Sequence, residues 1–115
     1  MPRKTFEASL EDLNVELIKM GAIVENAINS AIIALKNNDD KLAKEVVDQD
    51  RVIDDMEKDI EAKCLSLILR QQPVACDLRV VSTALKMVTD MERIGDQAAD
   101  IAELVMGFKS DLKYK

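Results

Sequence analysis

The sequence predicts an all-α protein: one antiparallel three-helix bundle that occupies residues 1–115 as a single domain. Three glycines and two prolines in 115 residues leave little material for the many turns of a β-sheet protein. Apolar residues recur at steps of three and four along three long segments, about 5–36, 39–70 and 73–106. With 48% hydrophobic but only 3% aromatic residues, the chain can bury one modest core of aliphatic side chains.

The first helix carries an almost unbroken apolar seam, typical of a bundle. Its members are Phe6, Leu10, Leu13, Leu17, Met20, Val24, Ala27, Ala31 and Leu35. Thr5 is suited to cap the first turn, and the polar run Asn37-Asn-Asp-Asp40 predicts the end of this helix and the cap of the next. Gly21 lies inside the seam at a cost of about 1 kcal/mol relative to Ala, so it is either a point of close helix approach or a tolerated weak position.

The second and third helices are predicted to run antiparallel, because only a short connection around Pro73 joins them. The apolar side of the second helix is interrupted between Val46 and Ile53, where the chain offers Gln49 and Asp50. The third helix is expected to end near residue 106, with Gly107 as its C-cap. Its core side is predicted from residues at seven-residue spacing and their flanking positions. The first are Val80, Met87, Ile94, Ile101 and Phe108, and the second are Ala84, Met91, Ala98 and Val105.

Each of these two helices also carries an acidic stripe, because steps of three and four return to one helix face. The stripes are Asp50, Asp54, Glu57 and Glu61 on the second helix, and Glu92, Asp96, Asp100 and Glu103 on the third. A turn near Pro73 and a rise of about 1.5 Å per residue pair positions whose numbers sum to about 147. Asp50 is then expected near Asp96, and Asp54 near Glu92. Either cations collect between the facing stripes, or the acids are simply a solvated surface.

Ligand chemistry narrows the choice of cation. The chain has no histidine, which argues against a catalytic zinc, a His-containing di-iron centre or a catalytic triad. Carboxylates alone suit hard cations such as Mg²⁺, Ca²⁺, Mn²⁺ or oxidised iron, without distinguishing among them. No Gly-rich phosphate loop or nucleophile motif is present either. The sequence therefore predicts a protein that is not an enzyme; a carboxylate-bridged metal enzyme would lack suitable proton-transfer groups.

Charge and hydropathy bear on partners and compartment. A net charge of -6 without a Lys/Arg block argues against nucleic-acid binding and against a membrane surface. No apolar run approaches the about 18 residues of a transmembrane helix, and the first residues lack the apolar core of a signal peptide. We therefore expect a cytoplasmic protein without membrane insertion, in which Cys64 and Cys76 are reduced core thiols.

Three sequence strings together resemble the PhoU family of phosphate-transport regulators. They are Arg70-Gln-Gln-Pro-Val-Ala-Cys-Asp-Leu-Arg79, Ala84-Leu-Lys-Met87 and Asp90-Met-Glu-Arg-Ile-Gly-Asp96, and the resemblance extends from Phe6 to about Val105. It implies a three-helix repeat whose surface holds multinuclear metal clusters through paired Glu/Asp-x-x-x-Asp motifs. The matching positions, and hence the expected metal ligands, are Asp50, Asp54, Glu92, Asp96 and Asp100, with Glu57 as a neighbour.

The resemblance also implies a function: regulation of phosphate uptake and repression of the phosphate-starvation response, through contacts with a membrane sensor kinase and the ATPase of the phosphate transporter. Members of this family usually contain two repeats, whereas this sequence has one and no internal repeat of its own. The first and third helices are apolar over wide arcs, so a homo-oligomer is expected. The alternative is a helical adaptor or structural bundle whose acids bind no functional metal.

Overall fold

The protein is described by a computed structural model that covers the backbone of residues 3–71 and 75–113 and the side chains of residues 5–70 and 78–107. Helices α1, α2 and α3 span Arg3–Asn37, Asp40–Gln71 and Ala75–Lys113, and the described ranges contain no strand. The three helices contact one another pairwise in a bundle of 64 × 18 × 18 Å. The predicted all-α bundle is confirmed. The turn at Pro73 lies outside the described residues.

The connection between α1 and α2 has the predicted polar chemistry. Asn38 adopts φ 53°, a left-handed conformation that Asn tolerates better than most residues. The Asp39 amide then donates to the Ala34 carbonyl at 2.9 Å, as in a Schellman C-cap. The Asp39 carboxylate in turn accepts from the Leu42 amide at 3.1 Å and so caps α2. The end of α1 and the start of α2 are thus satisfied by two consecutive residues, Asn38 and Asp39.

The core runs along the bundle and consists of aliphatic and small side chains together with the aromatic ring of Phe6. From α1 it takes Phe6, Leu13, Leu17, Met20, Val24, Ala27, Ala31 and Ala34; from α2 Ala43, Val46, Ile53, Ile60, Cys64 and Leu67; and from α3 Val81, Ala84, Val88, Ala98, Ala102 and Val105. Cys64 is fully buried, which raises the pKa of its thiol and agrees with a reduced core residue. The side chain of Cys76 lies outside the described residues.

The buried side of α3 differs in part from the predicted one. Val80, Met87 and Ile94, at its predicted centre, are exposed, and Phe108 lies outside the described side chains. The flanking positions Ala84, Ala98 and Val105 are buried as predicted, and Gly95 and Ala102 line the core beside them. Small residues allow three helices to approach closely, so the larger side chains are displaced to the edge that faces α1. On α1, likewise, the small side chain of Ala34 is buried and the larger side chain of Leu35 is exposed.

Two predicted helix ends are also wrong. Helix α1 begins at Arg3, so Thr5 lies within its first turn and does not precede it. Helix α3 continues through Gly107 to Lys113, and Gly107 does not adopt a positive φ. A glycine ends a helix when it takes the left-handed conformation, and without that conformation it is only a weak helix former. Gly107 is therefore not a C-cap.

Within the described residues, one helix is long and apolar enough to cross a membrane by length and composition alone. It is the Thr5–Asn37 stretch of α1, with a mean hydropathy of 1.3 over its most apolar window. The core helix of a soluble bundle passes the same test, and α1 contributes the buried residues Leu13 and Met20. Its apolarity is explained in part by that role.

Candidate metal centre

Three carboxylates from two helices converge on the side of the bundle formed by α2 and α3. One oxygen each from Asp50, Asp54 and Asp96 lies within 4.8 Å of the others. Asp50 and Asp54 are one turn apart on α2, and Asp96 reaches them from α3. We call these three residues the carboxylate cluster. The facing of Asp50 and Asp96 that the antiparallel register predicts is confirmed.

The backbones of α2 and α3 approach each other closely at a glycine beside the carboxylate cluster. A Cβ placed on Gly95 would lie 3.1 Å from both Cδ1 and Cγ2 of Ile53. Gly95 precedes Asp96 in sequence, and Ile53 precedes Asp54, so a close α2–α3 contact lies directly beside the carboxylates. Because Ile53 is fully buried, packing of the core draws the acids together in spite of their repulsion.

Asp50 is the most constrained carboxylate of the cluster. It lies where the apolar side of α2 is interrupted, and it is partly buried. Its Oδ1 atom is buried and, within the described residues, accepts no hydrogen bond. Burial, followed by the charges of Asp54 and Asp96, raises the pKa of Asp50 to about 6. A buried carboxylate oxygen without a donor is costly unless a cation or a proton satisfies it.

Glu92 extends the cluster by one turn along α3. Burial raises the pKa of Glu92 to about 7, helped by a hydrogen bond that its protonated form donates to Asp96 and by the charge of Glu57. Burial and the charges of Glu61 and Asp54 raise the pKa of Glu57 as well. The negative charges therefore form a band along α2 and α3 that includes Glu57. From the sequence, Glu57 is expected only as a neighbour of the metal ligands.

The donor set fits a hard cation. Metal–oxygen bonds of about 2.0–2.6 Å allow two ligand oxygens of one ion to lie up to about 5 Å apart, so the carboxylate cluster needs little rearrangement to share an ion. All these donors are carboxylate oxygens, which suit Mg²⁺, Ca²⁺, Mn²⁺ or oxidised iron. A cation here would satisfy Asp50 Oδ1 and offset the repulsion that raises the two pKa values.

The five residues predicted as metal ligands do not all meet at one point. Asp50, Asp54 and Asp96 form the cluster, and Glu92 joins it through Asp96. Asp100 is exposed and outside the group of three, although its charge contributes to the raised pKa of Asp50. Gly95 has a role at this site that was not predicted from the sequence. Its place directly before Asp96, opposite a second acidic stripe, is the sequence signal for it.

The fold and this site define a helical bundle with acidic motifs paired across two antiparallel helices. The sequence matches the PhoU domain over residues 17–105. It is 47% identical over 106 residues to the phosphate-specific transport system accessory protein PhoU homolog of Clostridium acetobutylicum, covering 91% of this chain and 48% of that protein. It is 38% identical over 101 residues to the phosphate-specific transport system accessory protein PhoU of Escherichia coli, covering 88% of this chain and 42% of that protein.

A solved structure shows the same architecture. The crystal structure of PhoU from Pseudomonas aeruginosa superposes with a TM-score of 0.89 at 39% sequence identity, over 92% of this chain and 51% of the other. The chain belongs to the PhoU domain family. It spans about half the length of the curated relatives it matches, and those relatives are named as accessory proteins of a transport system.

Proposed function

We propose that this protein regulates phosphate uptake and the phosphate-starvation response through protein–protein contacts, with metal ions bound at the paired motifs Asp50/Asp54 and Glu92/Asp96. The observation that carries the proposal is the convergence of Asp50, Asp54 and Asp96 in a chain of this family. The buried, unpartnered Oδ1 of Asp50 supports a bound cation. Asp100, exposed beside the cluster, supplies a further ligand to a second ion.

The partners that we propose are the ATPase of a phosphate transporter and a membrane sensor kinase, both contacted from the cytoplasm, and a second copy of this chain. The names of the relatives, which are accessory proteins of the phosphate-specific transport system, support a transporter component as a partner, and the family resemblance implies the kinase. Regulation by contact agrees with the absence of a catalytic nucleophile or histidine from the sequence. Binding of nucleic acid or insertion into a membrane forms no part of the proposal, given the net charge of -6.

The test is a phosphate-starvation reporter in a bacterium whose own PhoU relative has been deleted. The wild-type chain is expected to lower reporter expression in phosphate-rich medium. The variant Asp50→Asn/Asp54→Asn should lose most of this repression, because it removes two of the three clustered carboxylates. Metal content of the purified proteins, prepared without chelator or affinity tag, should fall in parallel.

Asp55→Asn/Asp59→Asn is the matched control, since it removes two exposed carboxylates at the same four-residue spacing on the same helix. This control should repress like the wild type. If the cluster variant and the control both repress fully, the bundle acts as an adaptor without a functional metal site. If the wild-type chain does not repress at all, the regulatory role itself is wrong.

A further inference from the structure

A polar groove lies between the first turns of α1 and the last turns of α2. Its volume is about 400 Å³, within the range of sites that hold small molecules. We call it the α1–α2 groove. Along α2, Asp54 of the carboxylate cluster precedes Lys63 of the groove by nine residues, about 13 Å of helix rise, so the two sites are separate. The polar side chains that line the groove are Thr5, Ser9, Asp12, Lys63, Ser66 and Arg70.

These side chains face one another in three pairs across the groove. Lys63 Nζ lies 3.3 Å from Asp12 Oδ2, and this ion pair fixes the register of the two antiparallel helices. Positions at the same height therefore have residue numbers that sum to 75, like those of the ion pair. The second and third pairs are three and seven residues further toward the end of the bundle, about 4.5 Å and about 10.5 Å of helix rise. In this order the pairs are Asp12–Lys63, Ser9–Ser66 and Thr5–Arg70.

The unpaired positive charge of the groove lies at its Arg70 end. Arg70 is exposed and, among the described side chains, forms no ion pair, whereas Lys63 is paired with Asp12. Helix α1 begins and α2 ends beside the groove, so the opposite ends of the two helix dipoles offset each other. Arg70 therefore sets the sign of the local charge. In a chain with a net charge of -6, this end of the groove is suited to an anion.

Hydroxyl groups beside Arg70 are available to hold such an anion. Within the described residues, the hydroxyls of Thr5, Ser9 and Ser66 form no hydrogen bond. The hydroxyls of Thr83 and Thr89, in contrast, donate to helix carbonyls at 2.9 Å. A guanidinium with several hydroxyl donors suits a phosphate group, which has more acceptor oxygens and more charge than a carboxylate.

The other end of the groove suits an uncharged polar group. The Asp12 carboxylate is an acceptor and the Lys63 ammonium is a donor, and the hydroxyl groups of a sugar both donate and accept. Ala8 and the buried Leu67 supply apolar surface along the groove. The two ends are about 10 Å apart, a distance that a sugar phosphate can span.

We infer that the α1–α2 groove binds a small sugar or polyol phosphate, with its phosphate group beside Arg70 and its hydroxyl groups beside Asp12 and Lys63. Free inorganic phosphate has the same anionic chemistry but would leave the Asp12–Lys63 end without a ligand. The inference does not rest on the regulatory role or on the metal centre proposed above.

Isothermal titration calorimetry of the metal-free wild-type protein tests the inference, because without metal the phosphate group is not drawn to the carboxylate cluster. The probes are glycerol 3-phosphate, ribose 5-phosphate and glucose 6-phosphate, compared with inorganic phosphate and with glucose. At least one ester is expected to bind at a single site, roughly tenfold or more tightly than inorganic phosphate, and more tightly still than glucose. Equal affinity for inorganic phosphate or for glucose, or no saturable binding of any ester, would overturn the inference.

Substitutions at the two ends of the groove test their separate roles. Arg70→Gln should weaken binding of the ester by roughly tenfold or more. Arg79→Gln is the matched control, because Arg79 is exposed on α3 and lies outside the groove, and it should bind the ester like the wild type. Asp12→Ala should reduce the preference for the ester over inorganic phosphate severalfold, since it removes an acceptor of sugar hydroxyls. Inorganic phosphate itself should bind this variant more tightly, because a repelling charge is lost.

Arg70 and Asp12 are both exposed, so both variants are expected to fold, and circular dichroism checks this. A folded Arg70 variant that binds the ester as tightly as the wild type would contradict the phosphate position. An unchanged preference in the Asp12 variant would contradict the position of the sugar.

Discussion

At the scale of single residues, Asp50 explains most about the candidate metal centre. It interrupts an otherwise apolar side of α2, and one of its oxygens is buried without a donor within the described structure. Such a position weakens the metal-free bundle, because a charged carboxylate there is partly removed from water and lies beside the like charges of Asp54 and Asp96. Burial also disfavours the charged form of Glu92, whose protonated form donates a hydrogen bond to Asp96. Both residues thus favour either a proton or a cation.

The stability of the metal-free protein should depend on pH in a direction set by these two residues. The pKa of Asp50 is raised from 3.8 to about 6, and that of Glu92 from 4.5 to about 7. The folded state therefore binds more protons than the unfolded state between pH about 4 and about 7. Stability from these groups is fully present below pH about 4 and is lost as the pH rises toward about 7.

Thermal unfolding in chelator, followed by circular dichroism, measures this dependence. The wild-type Tm should fall between pH 5 and pH 7.5. The Tm of Asp50→Asn/Glu92→Gln should depend less on pH, because this variant lacks both of the carboxyl groups that titrate in this range. The control Asp55→Asn, at an exposed position of the same helix, should follow the wild type. A Tm that rises with pH in the wild type, or a slope unaffected by the double variant, would contradict the assignment.

At the scale of helices, the site depends on how closely α2 approaches α3. The two helices approach closely where Gly95 faces Ile53, one residue before Asp96 and Asp54 in their respective helices. Ile53 is β-branched and fully buried, so its side chain has little freedom to move aside. We therefore expect a Cβ added at Gly95 to push against Ile53 and to move the helices, and with them the carboxylates, slightly apart.

Two glycine substitutions should therefore behave differently. Gly21→Ala is expected to stabilise the protein by up to about 1 kcal/mol through helix propensity, because its added Cβ meets only Met91 Sδ at an ordinary 3.6 Å. Gly95→Ala should gain the same helix propensity, but overpacking against Ile53 should destabilise the protein by about 1–3 kcal/mol. It should thus be less stable than Gly21→Ala in urea unfolding, and it should respond less to added cation. Equal stability of the two variants would show that Ile53 yields without moving α2.

Much of this arrangement follows from patterns in the sequence. The spacing of apolar residues predicts three helices, and the polar run from Asn37 to Asp40 predicts the connection between the first two. The short second connection predicts the α2–α3 register that brings Asp50 close to Asp96. The choice between adjacent apolar stripes of α3 does not follow, because it depends on which side chains are small enough for three helices to meet. Val80 and Val81 are equivalent by hydropathy, yet only Val81 is buried.

At the scale of the whole molecule, the bundle presents two different surfaces on either side of α3. The side formed by α2 and α3 is acidic and suited to cations, whereas the side formed by α1 and α3 carries exposed apolar residues such as Val80, Met87 and Ile94. The chain spans about half the length of its curated relatives.

We expect the paired acidic motifs on α2 and α3 to bind a cation. The change in Tm of the metal-free protein on addition of cations measures this binding. Metal-free protein should gain a Tm increase of roughly 10 °C with Mg²⁺, Mn²⁺, Ca²⁺ or ferric iron at about 100 times the dissociation constant. Glu92→Gln/Asp96→Asn should lose this increase and start from a higher metal-free Tm, whereas Asp55→Asn/Asp59→Asn should retain it. An identical cation response in the wild type and in the Glu92/Asp96 variant, or no response to any of the four ions, would contradict the account.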